Sequence, residues 1–223
     1  QSARGFVAYT MPKPCWAILE MQIDPLPRGS GVVFESQVPV KDIAQRYQNQ
    51  VRQALPLALK QGMLGWQVTD VRITLTGGSH HLIHTHPLDF IVATPMAFLD
   101  GLRRGGSTLL EPMLDMRITA PEGCAGRLMS DMTAMRGEIM ESELTGGLVR
   151  LRAQVPVAAS MDYPTQLAAL SGGRGAMSAR LMGYRECPLE LGATTPRRGV
   201  NPLDTAKYIL AARSALEGGI FDV

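Results

Sequence analysis

Residues 108–121 constrain the fold more than any other segment, because they separate two different patterns of predicted elements. The segment follows a Gly-Gly pair, opens with an apolar run and then alternates, with Leu114, Met116 and Ile118 on one face. Alternation with a period of two predicts a strand with one buried face. Pro121 fits the first turn of a following helix. We therefore interpret this strand as the first element of a second domain.

The first half of the chain predicts the order strand, strand, helix, strand, helix, at residues 16–24, 32–38, 41–62, 66–76 and 88–104. The third strand alternates only if its register slips by one residue, which predicts a β-bulge near Asp70. Gly77 and Gly78 are expected to end that strand. Two loops stand out, a Pro- and Gly-rich one at residues 25–31 and a histidine-rich one at residues 77–87.

The second half predicts strand, helix, strand, strand, helix, strand, at residues 108–121, 122–135, 138–144, 148–155, 158–170 and 175–184. This βαββαβ order indicates a ferredoxin-like sandwich, a four-stranded antiparallel sheet with helices on one face. A Pro- and Arg-bearing tail then leads to a final helix at residues 204–216. The predicted fold class is α+β, with two domains.

Composition excludes several classes of protein. No apolar run reaches the roughly 18 residues of a membrane span, and no signal peptide is recognisable, so we expect a cytoplasmic protein without a membrane partner. Cys15, Cys124 and Cys187 lack CxxC spacing and fit neither a zinc site nor a disulfide framework. The net charge of +2 is too small to indicate nucleic acid by itself, and we expect no DNA partner.

The segment HHLIHTHP, residues 80–87, contains all four histidines and allows three interpretations. In the first, His84, His86 and Asp89 hold the metal of a hydrolase, although no distant histidine completes the set. The second is a solvated polar loop. The third is a loop that stacks on nucleobases and binds phosphates. No lysine follows a glycine as a P-loop demands, and no convincing catalytic site is present.

The second half also resembles a known family. The matching pieces are Leu109-Leu110-Glu111-Pro112, residues 131–137 (DMTAMRG), and residues 163–167 (YPTQL) leading to Gly173-Arg174-Gly175. These resemble the fifth domain of translational GTPases of the elongation factor G type. The first half is similar to the fourth domain of that family, an elongated βα module with a ribosomal protein S5 domain 2-like fold.

Within that family, the chain resembles the tetracycline-resistance ribosomal protection proteins. The supporting segments are Trp16 before residues 25–31 (PLPRGSG), Gln61-Gly62 with Gly65-Trp66 and Val68-Thr69-Asp70, Pro87 with Asp89-Phe90, and the Pro196-Arg197-Arg198 tail before a last helix that contains Asp204, Lys207 and Tyr208. One departure is the HHLIHTHP loop, because protection proteins carry a Tyr- and Pro-bearing tip with a proline at the position of Ile83.

The resemblance implies four segments: a linker at residues 1–14, a fourth-domain-like module at 15–106, a fifth-domain-like module at 107–190, and a tail with C-terminal helix at 191–223. The GTPase domain, with its GTP and magnesium, would belong to a longer parent protein, so we expect no cofactor in this part. The chain is expected to be a monomer.

The implied function is ribosome binding, with contacts to both subunits. Residues 25–31 together with residues 79–87 would form one tip that reaches the 16S rRNA of the decoding region and displaces tetracycline. The implied RNA-binding residues are Pro25, Leu26, Pro27, Arg28, Gly29, Ser30, His80, His81, Leu82, Ile83, His84, Thr85 and His86. The alternative within translation is an elongation or recycling factor without an antibiotic role. The alternative of another class is the metal-dependent hydrolase.

Overall fold

The computed structural model describes residues 1–11 and 14–217, which divide into two compact units. Unit 1 comprises residues 1–107 together with the segment from residue 193 onward, and unit 2 comprises residues 108–192. Residues 12–13 of the predicted linker and 218–223 of the predicted tail lie outside the described residues. In the parts that the structure describes, no helix is both long and apolar enough to cross a membrane.

The strands, in chain order, are β1 (Ala3–Tyr9), β2 (Ala17–Pro25), β3 (Val32–Ser36), β4 (Val71–Ser79), β5 (Leu110–Pro121), β6 (Glu138–Thr145), β7 (Leu148–Pro156) and β8 (Ala176–Glu186). The helices are α1 (Gln45–Leu59), α2 (Asp89–Gly105), α3 (Ala125–Ala134), α4 (Val157–Ser160), α5 (Tyr163–Leu170) and α6 (Thr205–Glu217). A 3-10 turn, Glu122–Cys124, precedes α3.

Unit 1 is a four-stranded sheet in the order β1-β2-β4-β3, packed against helices. The pairs β1/β2 and β2/β4 are antiparallel, while β3 and β4 are parallel and joined through α1. Alternate residues of β2 enter the core, as a half-buried strand requires. The core joins Leu19 and Ile73 of the sheet to Val51 of α1, Phe98 of α2 and Ile209 of α6. The C-terminal helix is therefore part of unit 1.

Residues 1–14 were expected to be a linker, and this is wrong for residues 3–9, which form β1. Gly5, Val7 and Tyr9 are buried in strict alternation. A strand with only three inward positions, the first of them a glycine, shows too weak a period to be recognised in the sequence. The glycine is required, because a Cβ at Gly5 would lie 2.0 Å from the carbonyl oxygen of Ala97 in α2.

The predicted limits of the strand at residues 66–76 are also wrong. The strand β4 begins at Val71, because Asp70 adopts a left-handed conformation (φ 56°) and its Oδ1 accepts the N–H of Gly31 at 2.9 Å. The bulge lies instead at Thr76 of β4, the extra residue opposite the step from Glu20 to Met21 of β2. The glycine pair does not end β4. Both glycines lie within β4, which ends at Ser79. A side chain does not fit at Gly78, because a Cβ there would lie 2.1 Å from the carbonyl oxygen of Ile18 on the neighbouring strand.

Unit 2 confirms the predicted ferredoxin-like fold. Its sheet order, β6-β7-β5-β8, is that of a βαββαβ sandwich, and every pairing is antiparallel. Met116 and Ile118 of β5 pack with Leu128 of α3 and Tyr163 of α5, so the helices cover one face. On the other face, Asp115 pairs with arginines of both neighbouring strands.

The close packing of β1 on α2 predicts that a side chain at Gly5 lowers stability. Gly5→Ala drives a methyl group into the backbone of α2, and we expect it to lower the free energy of unfolding by about 1–3 kcal/mol. Gly123→Ala is the matched control, because a Cβ there meets nothing within 4 Å. Urea denaturation of both variants provides the measurement. Equal midpoints for Gly5→Ala and the parent would show that residues 3–9 do not pack on the helix.

Candidate functional site

The two prominent loops of unit 1 lie at opposite ends of its sheet. In the antiparallel pair β2/β4, Pro25 lies opposite Val71 and Ile18 lies opposite Ser79. The 25–31 loop therefore follows one end of the pair and the histidine loop the other. The distance from Ile18 to Pro25 along β2 is seven residue steps, or roughly 24 Å at about 3.4 Å per step. The expectation that residues 25–31 and 79–87 form one tip is wrong.

The histidine loop instead contacts the connections before β2 and before α1. The backbone N–H of His80 donates to the carbonyl oxygen of Asp42 at 3.0 Å, and its ring Nδ1 lies 2.8 Å from the same oxygen. The Thr85 hydroxyl donates to the carbonyl oxygen of Trp16 at 2.7 Å and accepts the N–H of His81 at 2.8 Å. Sequence reasoning did not identify Asp42 or Trp16 as parts of this site, since both contacts join distant segments.

Asp89, at the start of α2, holds these segments together. Its Oδ2 accepts the N–H of Trp16 at 3.0 Å and the N–H of His86 at 2.8 Å. The preceding residue, Leu88, adopts a left-handed conformation (φ 76°), which directs the loop back toward the sheet. Burial raises the pKa of Asp89, and the two N–H donors offset this only in part. A buried carboxylate with two backbone donors is a structural anchor.

Aromatic rings fill the interior of the loop. His81 lies between Trp16, at a centroid distance of 5.5 Å, and His84, at 4.5 Å. The Nδ1 of His81 accepts the N–H groups of Ile83 at 3.1 Å and His84 at 3.2 Å. His80 packs on Tyr47 at 5.3 Å. The rings of His80 and His81 thus stabilise the loop from inside.

The apex of the loop is apolar and exposed. The side chain of Leu82 is 92% exposed and that of Ile83 is 76% exposed. A turn at residues 82–84 carries both, and the ring of His81 fixes its backbone. The apex therefore presents two adjacent apolar side chains to solvent on an ordered turn.

The other predicted loop is a compact turn. The N–H of Leu26 donates to the carbonyl oxygen of Asp70 at 2.7 Å, and the N–H of Ser30 donates to that of Pro27 at 3.1 Å. Gly29 supplies the left-handed conformation that the turn requires (φ 83°). RNA binding by either loop stays a prediction.

The geometry does not favour the metal interpretation. His84, His86 and Asp89 do not converge, because Asp89 already accepts two backbone N–H groups and the His86 ring contacts the carbonyl oxygen of His84 at 2.9 Å. Within residues 1–11 and 14–217, no three or more His, Cys, Asp or Glu side chains are grouped so that they could hold a metal ion.

Comparison with known proteins identifies both units. The family described as "Elongation factor G, domain IV" matches residues 3–106, and "Elongation factor G C-terminus" matches residues 108–194. The chain belongs to the elongation factor G family. The first match includes β1, in agreement with the structure. In the solved crystal structure of a protein from Thermus thermophilus, the similar region covers 85% of this chain and 29% of that one, with 28% identity and a TM-score of 0.73.

Curated relatives include tetracycline resistance proteins. The chain is 29% identical over 221 residues to "Tetracycline resistance protein TetP" of Clostridium perfringens, which covers 97% of this chain and 34% of the relative. It is 31% identical over 198 residues to "Tetracycline resistance protein TetM from transposon Tn1545" of Enterococcus faecalis, covering 89% and 31%. The chain therefore spans about a third of the length of these relatives.

The burial of Asp89 predicts a dependence of stability on pH. Because its pKa is raised in the folded chain, its contribution to stability is greatest below the unfolded pKa of about 4 and declines as pH rises through the folded pKa. Asp89→Asn removes this decline and keeps an oxygen acceptor. We expect the difference in free energy of unfolding, Asp89→Asn minus parent, to become more positive as the pH rises from about 4 to about 7. Urea denaturation at each pH measures this difference.

A second variant separates the charge from the hydrogen bonds. Asp89→Ala leaves the N–H groups of Trp16 and His86 without their acceptor, which costs about 1–3 kcal/mol at neutral pH. Parallel pH profiles for Asp89→Asn and the parent would contradict the raised pKa. Unchanged stability of Asp89→Ala would contradict the anchoring role.

Proposed function

We propose that this chain is the ribosome-binding part of a protection-type translational GTPase, and that the apex of its histidine loop reaches 16S rRNA in the decoding region. It acts as a monomer in the cytoplasm, with contacts to both ribosomal subunits. GTP and magnesium bind in the GTPase domain of the parent protein. The observation that carries this proposal is the exposed Leu82–Ile83 pair on a loop that is ordered from inside.

The order of the loop supports a steric role. Internal hydrogen bonds and ring contacts already fix its backbone, so little conformational entropy is lost when it binds. Leu82 and Ile83 carry no hydrogen-bonding groups in their side chains and cannot read a base edge. They can fill an apolar gap beside a base or occupy the position of a planar drug. Displacement of the drug by occupation of its site is the mechanism that this surface suits.

Basic side chains near the loop can bind the RNA backbone. Lys41 precedes Asp42, whose carbonyl oxygen binds His80. The guanidinium of Arg46 lies over the ring of Tyr47, 4.6 Å from its centroid, and that ring also packs on His80. Phosphate contacts from such residues orient a protein on RNA without reading its sequence, while the apex determines what is displaced.

The second candidate is an elongation or recycling factor without an antibiotic role. Ile83 favours it, because protection proteins carry a proline at this position, while the Pro196-Arg197-Arg198 tail favours protection. Both candidates use the same end of unit 1 on the ribosome. Competition with bound tetracycline distinguishes them, since only a protection protein lowers the occupancy of the drug.

Co-sedimentation with vacant 70S ribosomes at low salt tests the apex directly. In the variant Leu82→Ser/Ile83→Ser, the contacts that order the loop remain, so we expect a folded chain with at least about tenfold weaker pelleting. The matched control, Val32→Ser/Met63→Ser, removes two exposed apolar side chains elsewhere in unit 1 and should pellet like the parent.

Equal pelleting of the apex variant and the parent would contradict the proposal. A further variant, in which residues 27–30 become Gly-Ser-Gly-Ser, examines the loop at the opposite end of the sheet. A loss of pelleting confined to that variant would assign RNA binding to residues 25–31 instead.

A further inference from the structure

Unit 1 contains a cavity of about 800 Å³ that lies far from the histidine loop in sequence. The connection after α1 forms one wall, and the tail with α6 forms the other. The chemically distinctive lining residues are Lys60, Trp66, Arg197, Arg198 and Tyr208. Within the described parts of the chain, three cations line the cavity and no carboxylate does. Its volume is within the range of small-molecule sites.

Hydrogen bonds between the walls hold the cavity open. The indole Nε1–H of Trp66 donates to the carbonyl oxygen of Ala193 at 2.7 Å, and the N–H of Thr195 donates to that of Leu64 at 3.1 Å. The N–H of Arg198 donates to the side-chain oxygen of Gln61 at 2.7 Å. These contacts join segments about 130 positions apart in the chain. The cavity is therefore a formed site rather than a gap beneath a loose tail.

Arg197 gives the cavity its charge preference. Its Nη1 donates to the carbonyl oxygen of Gln61 at 2.8 Å, while its buried Nε has no hydrogen-bond partner in the described structure. Burial lowers the pKa of Arg197, which reports an unfavourable environment for its charge. Burying a cation without a carboxylate costs free energy that an anion in the cavity would recover.

Two aromatic residues complete the site. The indole of Trp66 is 51% exposed, and its bond to Ala193 fixes the orientation of the ring. Burial raises the pKa of Tyr208 to about 12, and this neutral phenol lines the same cavity. An oriented indole beside cations is the combination that binds a base and its phosphate together.

We propose that this cavity binds a nucleotide of an RNA chain, with its base stacked on Trp66 and its phosphate bound by Arg197 and Arg198. The proposal does not rest on the function assigned to the histidine loop, because the cavity uses none of that loop's residues.

Nuclear magnetic resonance of the indole N–H groups tests the proposal with the whole chain and no ribosome. The chain has two tryptophans, so the ¹⁵N-labelled protein gives two indole signals, and Trp66→Phe assigns them. The probes are adenosine monophosphate, an adenosine hexanucleotide and polyglutamate. We expect the hexanucleotide to shift the Trp66 signal saturably, while the Trp16 signal stays unchanged.

Charge reversal provides the paired variants. Arg198→Glu changes an exposed side chain and leaves its backbone bonds to Gln61 in place, so we expect folded protein with at least tenfold weaker hexanucleotide binding. Arg4→Glu, an exposed arginine on β1, is the matched control and should bind like the parent.

The outcomes separate the possible ligands. Hexanucleotide binding at least tenfold tighter than that of adenosine monophosphate supports an RNA chain as the ligand. Equal affinity of the two probes would overturn RNA in favour of a free nucleotide. A Trp66 shift with polyglutamate but not with the hexanucleotide would assign the cavity to an acidic peptide, and no shift with any probe would also overturn the proposal.

Discussion

The carboxylate of Asp89 is the interaction on which the order of the histidine loop depends. It joins the connection before β2 to the histidine loop through two backbone N–H groups, at the point where α2 begins. Burying this charge is unfavourable, as the raised pKa of Asp89 shows. The cost is offset because a single side chain orders two segments that are distant in the chain. The left-handed conformation of Leu88 and the contact of the His81 ring with Trp16 both lie within the segments that Asp89 joins.

These contacts give His80 and His81 a structural role. Their rings contact Tyr47, Trp16 and His84 within the unit, and the exposed side chains at the apex are those of Leu82 and Ile83. Unit 2 uses carboxylates in a comparable way. Glu111 accepts from Arg136 and Arg185, and these contacts lower its pKa, the bond from Arg136 most of all. In both units, then, buried acids connect segments that are distant in the chain.

The sequence predicted most of the fold, because strong periods mark most of the elements. The order of strands and helices in the second half was predicted correctly, except that the helix expected at residues 158–170 is divided into α4 and α5. The first strand was missed because Gly5 leaves only two large inward side chains, Val7 and Tyr9. The joining of the two loops into one tip was wrong for a different reason. Periodicity shows that a strand exists but not the direction of its partner, and the antiparallel pairing of β2 with β4 separates them. Trp16 and Asp42 were missed because their contacts are non-local.

Site-specific crosslinking tests the central claim, that the apex of the histidine loop is the surface that meets ribosomal RNA. A photoreactive benzoylphenylalanine is placed at Ile83 in one chain and at Arg28, in the loop at the opposite end of the sheet, in another. Both chains are irradiated on 70S ribosomes, and the crosslinked RNA is mapped. The account predicts crosslinks to 16S rRNA from position 83 and none from position 28. Crosslinks from position 28 alone would contradict it.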